Sequence, residues 1–359
     1  MRLARLWLTD FRSYASADIS FAPGLTALLG ANGEGKTNVM EAIGYLATLS
    51  SFRGAPNDAL VRSGASSAVI RAEGEREGRQ LLIEAELAST GRGRVQVNKQ
   101  KLARTRDLLG ALRVSVFSPD DLELVKGGPA GRRHYLDDAL VARRPAFDSL
   151  RSDLEKILKQ RNALLKQAGG RLTPDIESTL SVWDAKLIET GEALAQARDD
   201  LVTELAPALN LAYEQVAGRS VPVTTTYDAP WRELGLATAL EAVRRDELRR
   251  GVSLVGPHRD DLVLHLDGLP SRTHASQGEQ RSLALALRLA AHRVVADATG
   301  SSPILLLDDV FSELDPDRSA ALLAHLPPGQ TVLSSAAGLP PGAMPELVLR
   351  VSGASVRPE

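Results

Sequence analysis

The sequence predicts an α/β fold that is interrupted by a helical insertion, and three observations support this prediction. A strand pattern over Gly24–Leu29 runs into a glycine-rich loop and then into a helical pattern. A second buried-strand pattern, Pro303–Leu307, ends in two aspartates. Between them, the composition changes near Pro145 and leucines recur at helical spacing. We therefore expect three segments: residues 1–142, 143–250 (the helical arm) and 251–359.

The composition is that of an ordinary globular protein. The chain has 359 residues, of which 43% are hydrophobic and 25% are charged, so it can bury a large core in about two domains. It contains no cysteine, which excludes disulfides, thiolate zinc sites and iron–sulfur clusters. The six histidines show no metal-ligand spacing, and the net charge of −2 means that any contact with nucleic acid would depend on local basic patches.

Targeting signals are also missing from the sequence pattern. Met1–Asp10 carries arginines and leucines but has no long apolar stretch and no small-residue cleavage site, which argues against a signal peptide. Apolar runs such as Ile304–Leu307 are far too short to cross a bilayer. We expect a cytoplasmic protein with no membrane contact.

The loop after the first strand pattern matches G-x-x-x-x-G-K-[ST], in which backbone N–H groups surround nucleotide phosphates. Its glycines permit positive φ, and the helix that follows adds a positive dipole end. Lys36 would reach the β- and γ-phosphates, and the Thr37 hydroxyl would ligate Mg²⁺. The alternative is a glycine-rich turn before an ordinary helix. The residues expected to bind the nucleotide here are Gly30, Ala31, Asn32, Gly33, Glu34, Gly35, Lys36, Thr37 and Asn38.

The two aspartates after the second strand pattern would complete the site. A parallel strand places its last residues at the carboxyl edge of the sheet, where ligands of open α/β folds bind. Asp308 would then hold Mg²⁺, and Asp309 would polarise the attacking water. The alternative is that both residues only cap a strand or the next helix.

Leucine spacing defines the expected arm. A first helix carries leucines from Leu150 to Leu165 and is broken by Gly169-Gly170. A second helix carries four leucines seven residues apart, which indicates a coiled-coil-like seam; they are Leu180, Leu187, Leu194 and Leu201. The alternative is that these leucines pack an ordinary helical subdomain.

Ser276-Gln-Gly-Glu-Gln280 forms a capping box, since Ser276 is a good N-cap and Glu279 follows three residues later. A helix start of this kind can bind phosphate. The stretch also resembles the signature loop of ABC-type ATPases, and Ser312–Asp315 resembles their D-loop. We therefore expect an ABC-type P-loop ATPase head with mixed sheets and a short helical, coiled-coil-like arm.

Several further motifs resemble the RecF family, which is related to SMC heads, over nearly the whole chain. They are Phe11-Arg-Ser-Tyr14, Phe117-Ser-Pro-Asp-Asp121, Gly131-Arg-Arg133 with Asp137, Gly256-Pro-His-Arg-Asp-Asp261 and Leu307-Asp-Asp-Val-Phe-Ser-Glu-Leu-Asp315. The resemblance implies ATP and Mg²⁺ as cofactors and an ATP-dependent homodimer with weak, DNA-stimulated ATP hydrolysis. It also implies binding to duplex or gapped DNA, cooperation with RecR and RecO, and help in loading the recombinase RecA at gaps.

The resemblance assigns roles residue by residue. Lys36, Asp309 and Ser276 would be catalytic. Ser276, with Gln277 and Gly278, would lie on the γ-phosphate bound by the partner subunit. Arg12 would lie near the nucleotide.

Two departures from the broader ABC pattern suggest slow turnover. Asp309 stands where a longer glutamate is usual, and Thr331–Ser335 lacks the switch histidine of transporters.

Basic pairs are the candidate DNA contacts, although each pair could equally be a solvated helix face. The expected contacts are Arg132, Arg133, Arg143, Arg144, Arg244 and Arg245, with Arg249/Arg250 and the Lys99–Arg106 cluster as further candidates. The alternatives to a DNA-binding switch are an ABC transporter subunit, another SMC-like chromosome protein, a small-molecule kinase and a DNA clamp without turnover.

Overall fold

The computed structural model describes residues 1–91 and 93–359, which contain both strands and helices. The strands are β1 (Arg2–Phe11), β2 (Tyr14–Ser20), β3 (Leu25–Leu29), β4 (Ser67–Arg76), β5 (Arg79–Ala88), β6 (Arg94–Val97), β7 (Gln100–Lys101), β8 (Val114–Phe117), β9 (Val223–Asp228), β10 (Asp261–Leu266), β11 (Leu269–Pro270), β12 (Ile304–Asp308), β13 (Thr331–Ser335), β14 (Leu347–Ser352) and β15 (Ser355–Pro358). The helices are α1 (Lys36–Thr48), α2 (Asn57–Leu60), α3 (Glu123–Lys126), α4 (Pro129–Arg143), α5 (Phe147–Ala168), α6 (Pro174–Ala217), α7 (Leu236–Arg250), α8 (Ser271–His274), α9 (Gln277–Thr299) and α10 (Pro316–Ala324).

One compact unit contains the two six-stranded sheets and comprises residues 1–122, 208–221 and 276–359. The first sheet is antiparallel, with the order β2-β1-β4-β5-β6-β7. The second has the order β15-β14-β3-β13-β12-β8, in which only β15 is antiparallel to its neighbour. This is the mixed-sheet architecture that the sequence predicts.

The central strands of the second sheet are buried on both faces, which accounts for the apolar run Ile304–Leu307 of β12. β12 and β13 have no exposed or half-buried residue. Helix α1 contacts both sheets, and its apolar residues share one core with residues of β1 and β4. The carboxyl ends of β3, β12 and β13 lie side by side at one edge because these strands are parallel neighbours.

The second unit, residues 123–207 and 222–275, contains the helical arm and the three-stranded sheet β11-β10-β9. The four leucines with heptad spacing are all buried. Leu165 of α5, Leu180 of α6 and Leu248 of α7 form one apolar cluster. A third helix therefore shares the packing, which favours the interpretation as an ordinary helical subdomain over a two-helix coiled coil.

The compact units divide the chain differently from the boundaries expected at residues 142 and 250. Helix α4 belongs to the second unit, where Arg132 binds Asp261 of β10 at 2.7 Å. Helix α6 is 44 residues long and contributes its last turns, from Ala208, to the first unit. In the described residues, no helix combines the length and the apolar character that a membrane span requires.

Candidate functional site

The phosphate loop lies between β3 and α1, as its sequence predicts. Gly33 and Gly35 have φ of 85° and 109°, a region in which residues with a Cβ are strained. A Cβ at Gly35 would lie 2.9 Å from the hydroxyl oxygen of Tyr14, and one at Gly30 would lie 2.2 Å from the carbonyl oxygen of Val351. The loop therefore needs glycine at these positions for its path as well as for its approach to a ligand.

Lys36 is buried and points back over the loop. Its Nζ donates hydrogen bonds to the carbonyl oxygens of Gly30, at 2.7 Å, and Ala31, at 2.9 Å. The ammonium group is thus held against the first two residues of the loop, and the lysine is only 6% exposed. Phosphate oxygens entering the loop would meet this positive charge directly.

Residues that follow β1 form hydrogen bonds with the phosphate loop and with the first turn of α1. The hydroxyl of Tyr14 donates to the carbonyl oxygen of Gly35 at 3.1 Å, and the amide of Asn38 donates to the hydroxyl of Ser13 at 2.9 Å. Arg12 makes two 2.7 Å contacts with the fully buried carboxylate of Glu41. The guanidinium of Arg12 is therefore already paired, and its expected place near the nucleotide stays a prediction.

Asp308 and Thr37 meet at the carboxyl edge of the second sheet. The hydroxyl of Thr37 donates to Oδ1 of Asp308 at 3.0 Å, and the hydroxyl of Ser334 donates to the same oxygen at 2.7 Å. Burial raises the pKa of Asp308. The neighbouring strands β12 and β13 bring Asp308 and Ser334 together, and β3 delivers Thr37 through the phosphate loop.

Asp309 follows with an unusual backbone conformation. Its φ of 52° is left-handed, and its amide donates to the hydroxyl of Ser334 at 3.0 Å. Its Oδ1 is buried and has no hydrogen-bond partner within the described residues. Such an orphan acceptor is costly unless a ligand or water satisfies it, so it fits a carboxylate that binds an attacking water.

These oxygens suit Mg²⁺, which is usually held by one or two protein oxygens together with substrate phosphates. Thr37 and Asp308 would provide the protein ligands, and the metal would neutralise charge on the phosphates. No group of three or more His, Asp or Glu side chains in the described part of the chain could hold a metal alone. The arrangement therefore favours a shared protein–phosphate site over a resident metal centre.

The signature-like loop starts α9 with the capping box that its sequence predicts. The Glu279 amide donates to Oγ of Ser276 at 3.3 Å, and the Ser276 amide donates to the Glu279 carboxylate at 2.7 Å. The hydrogen bond from the Ser276 amide lowers the pKa of Glu279. Ser276 and Gln277 are exposed, so the loop offers its polar groups to the surface.

The D-loop-like segment packs against the signature-like loop. The Asp315 carboxylate caps α10 and binds Arg318 at 2.6 Å. A Cβ on Gly278 would lie 2.6 Å from Nη1 of Arg318, so the glycine leaves room for this guanidinium. Further along α9, Arg281 binds Glu313 at 2.5 Å.

The Gly256–Asp261 motif contributes to a polar core within the second unit. Asp260 is 2% exposed and accepts hydrogen bonds from Tyr227 at 2.5 Å and Trp231 at 2.7 Å. Arg133 donates to the carbonyl oxygen of Asp260 at 2.7 Å. Burial lowers the pKa of His258 to about 4, so this histidine is neutral at physiological pH.

Most arginines of the expected DNA set have partners inside the protein. Arg132 binds Asp261 through both carboxylate oxygens, and Arg143 binds Glu204 at 3.0 Å. Arg244 binds Asp184 at 2.8 Å and Glu241 at 3.1 Å. Arg144 and Arg245 form no ion pair within the described residues. The arginines with internal partners therefore have structural roles, whereas the charges of Arg144 and Arg245 are available to a ligand.

Comparison with known proteins defines the class and then the family. The family described as "RecF/RecN/SMC N terminal domain" matches residues 2–331. The Smc head domain with coiled coil and joint from Pyrococcus yayanosii has a TM-score of 0.59 at 15% identity, covering 100% of this chain and 97% of that chain, which supports the fold. The chain is thus an SMC-type head protein with the ABC-type ATPase fold.

Relatives with higher identity narrow this class. The DNA replication and repair protein RecF of Streptomyces avermitilis is 45% identical over 354 residues, which cover 94% of each protein. RecF of Frankia alni is 45% identical over 355 residues, covering 94% of this chain and 93% of that protein. A structure described as the recombination mediator protein RecF-ATP in the RecFOR pathway has a TM-score of 0.91 at 27% identity, covering 100% of this chain and 97% of that chain. The chain belongs to the RecF family of DNA replication and repair proteins.

Four residues of the site were assigned no role from the sequence. Tyr14 lies in the Phe11-Arg-Ser-Tyr14 motif and Ser334 in the strand Thr331–Ser335, but their contacts with the phosphate loop and the aspartate pair depend on the tertiary fold. Glu41 could have been suspected as a charged residue on the buried face of α1. Arg318 follows Asp315 by three residues, a spacing at which a capping aspartate can also bind an arginine.

Proposed function

We propose that this chain binds ATP with Mg²⁺ and hydrolyses it slowly, as a switch that controls DNA binding in recombinational repair. The observation that carries the proposal is the 3.0 Å contact between Thr37 and Asp308, which joins the phosphate loop to the acidic strand end. Membership of the RecF family and the description of one relative as RecF-ATP support ATP as the nucleotide.

Asp309 is the proposed base of the hydrolysis step. Its free oxygen would accept a hydrogen bond from the attacking water, and the amide contact with Ser334 would fix its direction. Lys36 would stabilise negative charge that develops on the transferred phosphoryl group. Asp309→Asn should retain ATP and trap a nucleotide-bound dimer, while unchanged phosphate release would remove Asp309 from this role.

We further propose that two copies close over the nucleotides, with Ser276, Gln277 and Gly278 of one copy facing the phosphates bound by the other. The exposed capping box supports this proposal, because it presents a helix N-terminus to an approaching anion. Sizing with a non-hydrolysable ATP analogue and Mg²⁺ tests it. Ser276→Arg should keep ATP binding and abolish the dimer, whereas loss of ATP binding by this variant would place the loop in its own subunit's site.

Duplex or gapped DNA is the proposed ligand of the basic surface, with Arg144 and Arg245 as the contacts that remain available. Binding to phosphates releases counterions, so the DNA affinity should fall steeply with salt. A flat salt response would contradict this interface. Cooperation with RecR and RecO, and through them with the recombinase, is proposed because a relative is described within the RecFOR pathway. A cytoplasmic location stays a prediction.

A further inference from the structure

An arginine outside every sequence motif contacts the signature-like loop. Arg219 lies two residues after the end of α6 at Ala217, and Gly218 between them is left-handed with φ of 65°. Its guanidinium forms an ion pair with the carboxylate of Glu279, sixty residues later in the chain. Hydrogen bonding to this carboxylate raises the pKa of Arg219. Both residues belong to the first compact unit.

The pair matters because Glu279 is the acidic member of the capping box. One carboxylate oxygen of Glu279 accepts from the Ser276 amide at 2.7 Å, and the other is bound by Arg219. Both oxygens therefore have a donor, and the carboxylate has one favoured orientation. Because Ser276 Oγ in turn accepts from the Glu279 amide, the position of the serine depends on that orientation.

Buried side chains hold the end of α6 in place. Tyr213, one turn before the helix end, has no exposed surface, and Val216 is 1% exposed. Arg318 also approaches the loop, since its Nη1 would lie 2.6 Å from a Cβ on Gly278. Two arginines from different parts of the chain thus lie against the signature-like loop.

We infer that Arg219 is a positioning residue, which orients Ser276 through Glu279 for the phosphates bound by a second copy of this chain. The inference rests on the proposed function, since it requires that the signature-like loop acts across a dimer. Arg219 does not contact its own phosphate loop through any hydrogen bond or ion pair within the described residues. Its removal is therefore expected to spare ATP binding by the single subunit.

The matched control is Arg350. Its side chain is 54% exposed and pairs with Glu359, whereas that of Arg219 is 52% exposed and pairs with Glu279. The two substitutions Arg219→Ala and Arg350→Ala therefore remove similar surface ion pairs from the same compact unit. Only the first would loosen the capping box.

The first measurement is the dimer dissociation constant with a non-hydrolysable ATP analogue and Mg²⁺. We expect roughly threefold weaker association per loop, or about 0.7 kcal/mol, which lies within the range for exposed ion pairs, and about tenfold per dimer for Arg219→Ala. ATP binding by the monomer and the Arg350→Ala dimer should match the wild type. Wild-type dimerisation of Arg219→Ala would overturn the inference.

Mixed dimers separate action across the interface from action within one subunit. Arg219→Glu mixed with Lys36→Ala leaves one nucleotide site complete, since the first variant supplies the phosphate loop and the second supplies the signature-like loop. This mixture should associate like the reference mixture of Ser276→Arg with Lys36→Ala. Arg219→Glu mixed with Ser276→Arg leaves one loosened site and no complete one, so it should associate more weakly than wild type mixed with Ser276→Arg, which keeps one complete site. A departure from the first equivalence, or equal association of these last two mixtures, would contradict the inference.

Amide hydrogen exchange distinguishes failure of the inference from failure of the proposed dimer. In the nucleotide-free monomer, Arg219→Ala should accelerate exchange of the Ser276 and Glu279 amides about threefold, while Arg350→Ala should leave both unchanged. If the wild type stays monomeric with the analogue, the proposed dimer is wrong, and unchanged exchange in Arg219→Ala would independently refute the positioning role.

Discussion

Arg132 provides a sharp test of the distinction between structural and DNA-binding arginines. Its side chain is 8% exposed, and its guanidinium binds both oxygens of Asp261 at 2.7 and 2.8 Å. It also donates to the carbonyl oxygens of Leu124 at 3.2 Å and Gly127 at 2.9 Å. Arg132→Ala would remove these hydrogen bonds, while Oδ1 of Asp261 would keep its contact with the Leu262 amide at 2.8 Å.

The expected loss follows from this geometry. Removing one partner of a buried ion pair costs about 3–5 kcal/mol, and the lower end applies here because Asp261 is 22% exposed. A loss of about 3 kcal/mol would lower the melting temperature of the arm unit by roughly 6–12 °C. Arg132→Met with Asp261→Leu should recover much of this stability, since it removes both charges together.

The assay combines thermal unfolding with DNA titrations at several salt concentrations, below the unfolding transition. Arg132→Ala should keep the wild-type salt dependence, whereas Arg144→Ala should keep the melting temperature and reduce the salt slope by about one. An Arg132→Ala protein with the wild-type melting temperature and a reduced salt slope would refute the reasoning, because Arg132 would then contact phosphate.

Three further predictions concern the phosphate site and the arm. Ser334→Ala should slow ATP hydrolysis about tenfold in a phosphate-release assay, because two hydrogen bonds to the aspartate pair are lost; ATP affinity should stay within about threefold. Gly35→Ala should abolish binding of a fluorescent ATP analogue without unfolding the protein, since the new Cβ would meet Tyr14. Arg161→Ala should cost at least about 3 kcal/mol in denaturant unfolding, because its fully buried guanidinium neutralises two carboxylates; the exposed Arg249→Ala should cost less than about 1 kcal/mol.

The parts of the fold that the sequence predicts well are those specified by neighbouring residues. The phosphate loop is a backbone motif, so glycines and a lysine at fixed spacing indicate it without any tertiary information. The buried strand β12 follows from the apolar run Ile304–Leu307, which is typical of a strand covered on both faces. The capping box of Ser276 and Glu279 is local for the same reason.

The partners of charged residues could not be assigned from local sequence patterns, because the tertiary fold determines which carboxylate an arginine meets. Arg132-Arg133 and Arg143-Arg144 look alike in sequence, yet Arg132 is buried against Asp261 and Arg144 has no ion pair among the described residues. The boundaries of the compact units could not be predicted from the sequence either, since α6 contributes residues to both units as one continuous helix. Pro207, inside this helix, is the last residue before the chain passes from the second unit to the first.

The signature-like loop shows how local and distant residues combine at one site. Serine, glycine and glutamate suffice to start a helix, and such capping boxes occur in many unrelated proteins. Arg219 and Arg318 add tertiary contacts that the local motif lacks. They approach the same helix turn from the segment after α6 and from α10. A loop that must meet a second subunit gains from such support, since an orientation fixed before association does not have to be fixed by the dimer.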